Sequence, residues 1–115
     1  MRTAVANQGE IRIDRIDTIP EGEMRPFTER NDKGAIISHS ESGHHHVLAG
    51  DAEVLERVDA PTGARILYAI VNEPTRLFQD AGMPHEAVAL DAGIYEFRIK
   101  REYDPFLEQA RRVAD

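Results

Sequence analysis

Apolar residues along this chain come in short, often alternating runs cut by glycine and proline. That is the period-two mark of half-buried strands rather than the period of a helix. Glu10-Ile11-Arg12-Ile13-Asp14-Arg15-Ile16 opens the pattern with alternation, and residues 20–33, which hold two prolines, read as a loop with a short strand near Met24 to Phe27. Further strands are expected at 35–39, 44–48, 52–58, 65–71, 75–78, 86–90 and 94–103, joined by turn formers such as Pro61-Thr62-Gly63 and Asp91-Ala92-Gly93. Strands at roughly ten-residue spacing predict an all-β, mainly antiparallel domain, a small β-barrel or sandwich of about eight strands. Only 104–114 reads as a short C-terminal helix. Asp104 serves as its N-cap, Pro105 as its first residue, and Phe106, Leu107, Ala110 and Val113 form one stripe. Residues 1–9 are expected to be flexible.

The 115 residues suit a single domain spanning 1–115. A hydrophobic share of 41% beside 30% charged residues implies a thin core with one solvated layer, and without Trp the packing must be mostly aliphatic. The net charge of −7 opposes nucleic acid and anionic membranes. The one basic run, Arg98-Ile99-Lys100-Arg101, is flanked by Glu96, Glu102 and Asp104. Cysteine is absent, which excludes disulfides, thiolate metal ligands and cysteine nucleophiles. No apolar run is long enough for a bilayer and the first residues are too polar for a signal peptide, so a cytoplasmic location without membrane partners is expected.

Candidate chemistry concentrates in Ser38-His39-Ser40-Glu41-Ser42-Gly43-His44-His45-His46, which holds four of the five histidines. If 35–39 and 44–48 form a hairpin, His39 lies opposite His44, Ser38 opposite His45 and Ile37 opposite His46. Opposed residues share a face. His39, His44 and His46 would then gather on one face, with His45 on the other. A two-residue hairpin at Ala49-Gly50-Asp51-Ala52 would add Leu55 opposite His46, Glu53 opposite Leu48 and Arg57 opposite His44. Ile36, Val47, Val54 and Val58 would form the core face.

Three such imidazoles can ligate Zn²⁺, Ni²⁺, Mn²⁺ or Fe²⁺, with Glu53 or His85 as a further ligand. The competing reading is a solvated strand face whose histidines bond to backbone. His44-His45-His46, followed by Glu53 and by Gly82-Met83-Pro84-His85, resembles the metal motifs of the cupins. That resemblance implies a small β-barrel holding its metal through His44, His46, Glu53 and His85. It departs from the cupin pattern in placing Glu53 further beyond the second histidine and in lacking the glycine and asparagine positions of the second motif. A second likeness spans more of the chain. Gly43-His44-His45-His46, Pro84-His85-Glu86, the stretch from Gly93 to Arg101-Glu102-Tyr103, and Arg111-Arg112-Val113-Ala114-Asp115 resemble an uncharacterised family of small bacterial and phage-associated proteins.

Ser38, Ser40 and Ser42 stand near histidines, yet no Gly-x-Ser-x-Gly elbow accompanies them and they read as turn formers. No phosphate-cradling glycine loop is present. Residues 98–103 alternate as a solvated strand, with Arg101 and Tyr103 as a conceivable clasp for an anion. Catalytic residues are not identifiable. Two functions stand side by side: a non-catalytic structural or interaction module, phage- or prophage-associated and binding itself or another protein; or a cupin-like metal-binding protein or metalloenzyme acting on a small molecule.

Overall fold

The computed structural model describes residues 2–39, 45–80 and 87–100. Among these lie eleven strands and no helix: β1 (Thr3–Gln8), β2 (Ile11–Ile16), β3 (Met24–Pro26), β4 (Arg30–Asn31), β5 (Gly34–Ser38), β6 (His45–Ala49), β7 (Glu53–Arg57), β8 (Ala64–Val71), β9 (Thr75–Asp80), β10 (Val88–Leu90) and β11 (Gly93–Lys100). They form a six-stranded sheet, β1-β2-β11-β8-β7-β3, and a five-stranded sheet, β10-β9-β6-β5-β4. Every pairing is antiparallel. The all-β expectation holds, as two packed sheets rather than a closed barrel. The expected helix at 104–114 lies outside the described residues.

Alternation sends one side of each strand inward. Ile11 and Ile13 of β2, Leu67, Ala69 and Val71 of β8, and Tyr95, Phe97 and Ile99 of β11 meet Ala35, Ile37, Leu48, Leu77 and Leu90 of the other sheet in one core. A smaller cluster, Ile16, Ile66 and Tyr68 with Ile19, Met24, Ala60 and Ile94 against it, covers part of the outer face of the six-stranded sheet.

Residues 3–8 pair with β2 as an edge strand, through a register shift between Ala4 and Ala6. Two expectations are corrected. No hairpin forms at Ala49-Gly50-Asp51-Ala52, because β6 pairs with β5 and β9 while β7 pairs with β3 and β8. Gly50, at φ 87°, instead turns the chain from one sheet to the other, so that Leu48 and Val54 enter the same core from different sheets. The core face of the β5–β6 hairpin is Ala35, Ile37 and Leu48, with Ile36 half-buried and Val58 45% exposed. Val47 is buried, but outside that core. Ala35-Ile36-Ile37 and Val47-Leu48 are apolar on both faces, so alternation alone could not say which side turns inward.

The outer face of the six-stranded sheet holds an unusual pair. Asp14 and Glu96 lie directly opposite each other on β2 and β11, both buried. Like charges so placed repel. Arg2 resolves the conflict: Nη1 donates to Asp14 Oδ2 (2.8 Å) and Glu96 Oε1 (2.6 Å), and Nη2 donates to Glu96 Oε2 (2.9 Å). Arg2 thereby fastens the start of β1 to the sheet.

Candidate functional site

Strand directions bring most of the chemistry-bearing residues to one end of the sandwich. The end of β1 and start of β2, the end of β5, the start of β6, the end of β9, the start of β8 and the end of β11 all meet there. Gly9-Glu10 makes the two-residue turn between Gln8 and Ile11, with Gly9 at φ 57°. Glycine at the first turn position with positive φ is what a type II′ hairpin demands. A Cβ on Gly9 would lie 3.3 Å from both Cε1 and Nε2 of His46, so the turn is seated on that imidazole.

The β5–β6 ladder explains where the histidines point. Its base has the expected register, Ala35 opposite Leu48 and Ile36 opposite Val47, but a shift between Ile36 and Ser38 sets Ser38 opposite His46. Such a bulge inserts one extra residue and re-aims the side chains beyond it. His46 turns into the sandwich, 2% exposed. Gln8 Nε2–H donates to Leu77 O (3.1 Å), so Gln8 Oε1 is left to accept from His46 Nδ1–H at 2.8 Å. That places the hydrogen on Nδ1 and points Nε2 towards Glu10, whose Oε2 is 3.8 Å away. Glu10 Oε1 also accepts from the Ser38 hydroxyl at 2.6 Å.

His39 takes a different path. Its Nε2 lies 2.9 Å from Glu29 Oε2, and its ring meets His45 edge-on with centroids 4.7 Å apart. Glu29 in turn stands 4.0 Å from Arg65 Nη2. Arg65 stacks over Phe27 and donates from Nε to Glu56 at 2.5 Å, while Arg25 donates to the same carboxylate at 3.2 Å. The hydrogen bond from Arg65 holds the buried Glu56 carboxyl below its usual range, overcoming the opposite push of burial.

Of the expected ligands, the described His39, His46 and Glu53 each have separate partners. His45, assigned to the opposite face, is the ring that touches His39, and His46 is tied to Gln8 instead. Glu53 is exposed at the start of β7, in the other sheet and opposite Ile70. The β6 end nearest to it is the Ala49 end, not the His45 end. His44 and His85 lie outside the described residues. His45 is opposite Asp80 at the end of the β6–β9 ladder. Among the described residues no group of three or more His, Asp or Glu is placed to hold a metal ion. Gln8, Glu10 and Glu29 were missed as partners. The one available signal was Gln8-Gly9-Glu10, a polar pair around glycine just ahead of an alternating strand.

The model of a family described as a domain of unknown function, DUF8820, matches residues 7–100. No curated protein and no solved structure matches the chain.

Proposed function

We propose that this chain, which belongs to the DUF8820 family, is a non-catalytic interaction module whose copies associate through β1. The open edge of that strand carries the reading. Among the described residues the sheets end in four edge strands, and three are blunted: β3 has three residues and contains Pro26, β10 has three, and β4 has two. β1 has six residues, Thr3-Ala4-Val5-Ala6-Asn7-Gln8, with no proline and no charge. Its only neighbour among the described residues is β2. An edge of this kind is a template for another strand, and charges, proline and shortness are the usual protections. Val5 lies at the register shift and is one of two exposed large hydrophobic residues among the described residues, 39% exposed.

A second copy is the fitting occupant. Antiparallel β1–β1 pairing about a two-fold axis uses the same small, uncharged residues on both sides. Remote repulsion between chains of net charge −7 limits the affinity, so added salt strengthens the pair. The phage or prophage setting rests on the sequence resemblance alone. Sedimentation velocity tests the proposal: the protein should self-associate, and Val5→Lys should be monomeric with an unchanged circular dichroism spectrum. A wild-type chain that stays monomeric at millimolar concentration overturns it.

A second reading draws on the His39–His45 contact. We propose as the alternative that the histidine cluster binds a divalent transition metal through His39 and His45, with His44 and His85 as candidates beyond the described residues. His45→Ala should then abolish stabilisation by Zn²⁺ or Ni²⁺, and Glu53→Gln should leave it intact. Equal stabilisation of wild type and His45→Ala removes this reading.

A further inference from the structure

We propose that the outer face of the six-stranded sheet, at the end nearest Lys100, binds a small phosphate-bearing molecule. A groove of about 460 Å³ lies there, lined by Asn7, Gly9, Glu10, Arg12, Arg98 and Lys100. Its volume is within the range of small-ligand sites. Asn7, Arg12 and Arg98 face outward in one row, because Asn7 is opposite Arg12 on β1–β2 and Arg12 is opposite Arg98 on β2–β11. Lys100 stands two residues further along β11 on the same face.

In a chain of net charge −7, three cations around one groove stand out because two of them meet an acid through Nε alone and the third meets none among the described residues. The nearby acids are already served, since Arg2 grips both Asp14 and Glu96. Arg12 spends only its Nε, at 3.3 Å from Asp14. Arg98 reaches Glu96 only at 3.8 Å, also through Nε. Among the described residues neither guanidinium uses its outer nitrogens in a hydrogen bond, and the Lys100 ammonium has no ion-pair partner. The one acid in the lining, Glu10, is drawn inward by Ser38 and lies beside His46. The groove thus offers two guanidinium forks, one ammonium and the Asn7 amide beside a single carboxylate, so donors outnumber acceptors. A tetrahedral oxyanion with several acceptor oxygens matches that set, and arginine forks favour phosphate geometry.

Titrations of the full chain with inorganic phosphate, pyrophosphate, ribose 5-phosphate and citrate, followed by isothermal calorimetry and by amide NMR shifts, test the site. Phosphate and pyrophosphate should shift the amides of Asn7, Gly9, Arg12, Arg98 and Lys100. Ribose 5-phosphate should bind at least as well as phosphate, since the groove exceeds the anion alone. Arg98→Gln and Lys100→Ala should each weaken binding about tenfold. Arg15→Gln, a cation lost from the far end of the same sheet, should change nothing. Lys100→Ala breaks no ion pair among the described residues, so its effect stays readable even if Arg98→Gln alters folding. Shifts scattered over the surface, citrate binding as tightly as pyrophosphate, or a single-stranded oligonucleotide binding more tightly than any small phosphate would each overturn the proposal.

Discussion

Replacing Arg2 with Met should destabilise the fold with a pH signature that identifies the cause. Methionine keeps an apolar stem in place of the arginine methylenes and removes only the guanidinium. Two carboxylates, each with a side chain 3% exposed, then lose three charge-assisted hydrogen bonds. A bond to a charged group contributes about 1.5–3 kcal/mol. The total must be scaled down, because the Arg2 side chain is 45% exposed and water screens it, and because Asp14 keeps Arg12 at 3.3 Å. A loss of about 2 kcal/mol remains, or roughly 10 °C in Tm for a domain of this size. Hydrogen bonding by Arg2 holds Glu96 below its ordinary 4.5. For Asp14 burial pushes upward, but Arg2 and Arg12 outweigh it and hold the group below 3.8. Folded values below unfolded ones mean stabilisation that is present above the ordinary carboxylate range and is lost as pH falls through it. The gap between wild type and Arg2→Met should thus be full at pH 7 and close progressively in acid. Thermal melts followed by circular dichroism between pH 7 and pH 3 measure it. A deficit near zero at neutral pH, or one that stays constant in acid, refutes the reasoning.

Gly9→Ala should cost about 1–2 kcal/mol, since Cβ meets positive φ and the His46 ring together, and chemical denaturation measures the loss. Leu48→Ala should cost about 2–5 kcal/mol as a buried core deletion, whereas Val58→Asp should stay within about 0.5 kcal/mol at its exposed turn, both read from denaturant midpoints. Arg65→Met should narrow the pH range of full stability from the acid side, because the hydrogen bond from Arg65 is the main cause that keeps Glu56 ionised, and melts between pH 7 and pH 3 detect this.

The strands were legible because alternation and turn formers are local signals. The 65–71 and 94–100 segments pair as β8 and β11 with Phe97 opposite Leu67 and Ile99 opposite Arg65, and the 24–27 strand appears as β3. Sheet membership was not legible. A Gly-Asp turn between two strands reads as a hairpin, yet the link from β6 to β7 crosses the core, a choice made by the partners β8 and β9 far along the chain. The histidines were legible as a cluster and illegible as a geometry. One extra residue at Ile37 sets Ser38 opposite His46, and nothing in Ala35-Ile36-Ile37-Ser38 marks where a bulge falls. The Arg2 clasp was equally hidden, because its partners stand on two strands that pair only in the folded sheet.

Hydrogen exchange along β1, measured at increasing protein concentration, tests the self-association most directly. Antiparallel pairing of copies buries the outward amides of Thr3 to Gln8 in new hydrogen bonds and leaves the β2-facing ones as they were. The account predicts that protection of the outward amides rises with concentration in the wild-type chain, rises further with salt, and does not change with concentration in Val5→Lys. Protection of β1 that is independent of concentration, or a concentration effect confined to other strands, contradicts it.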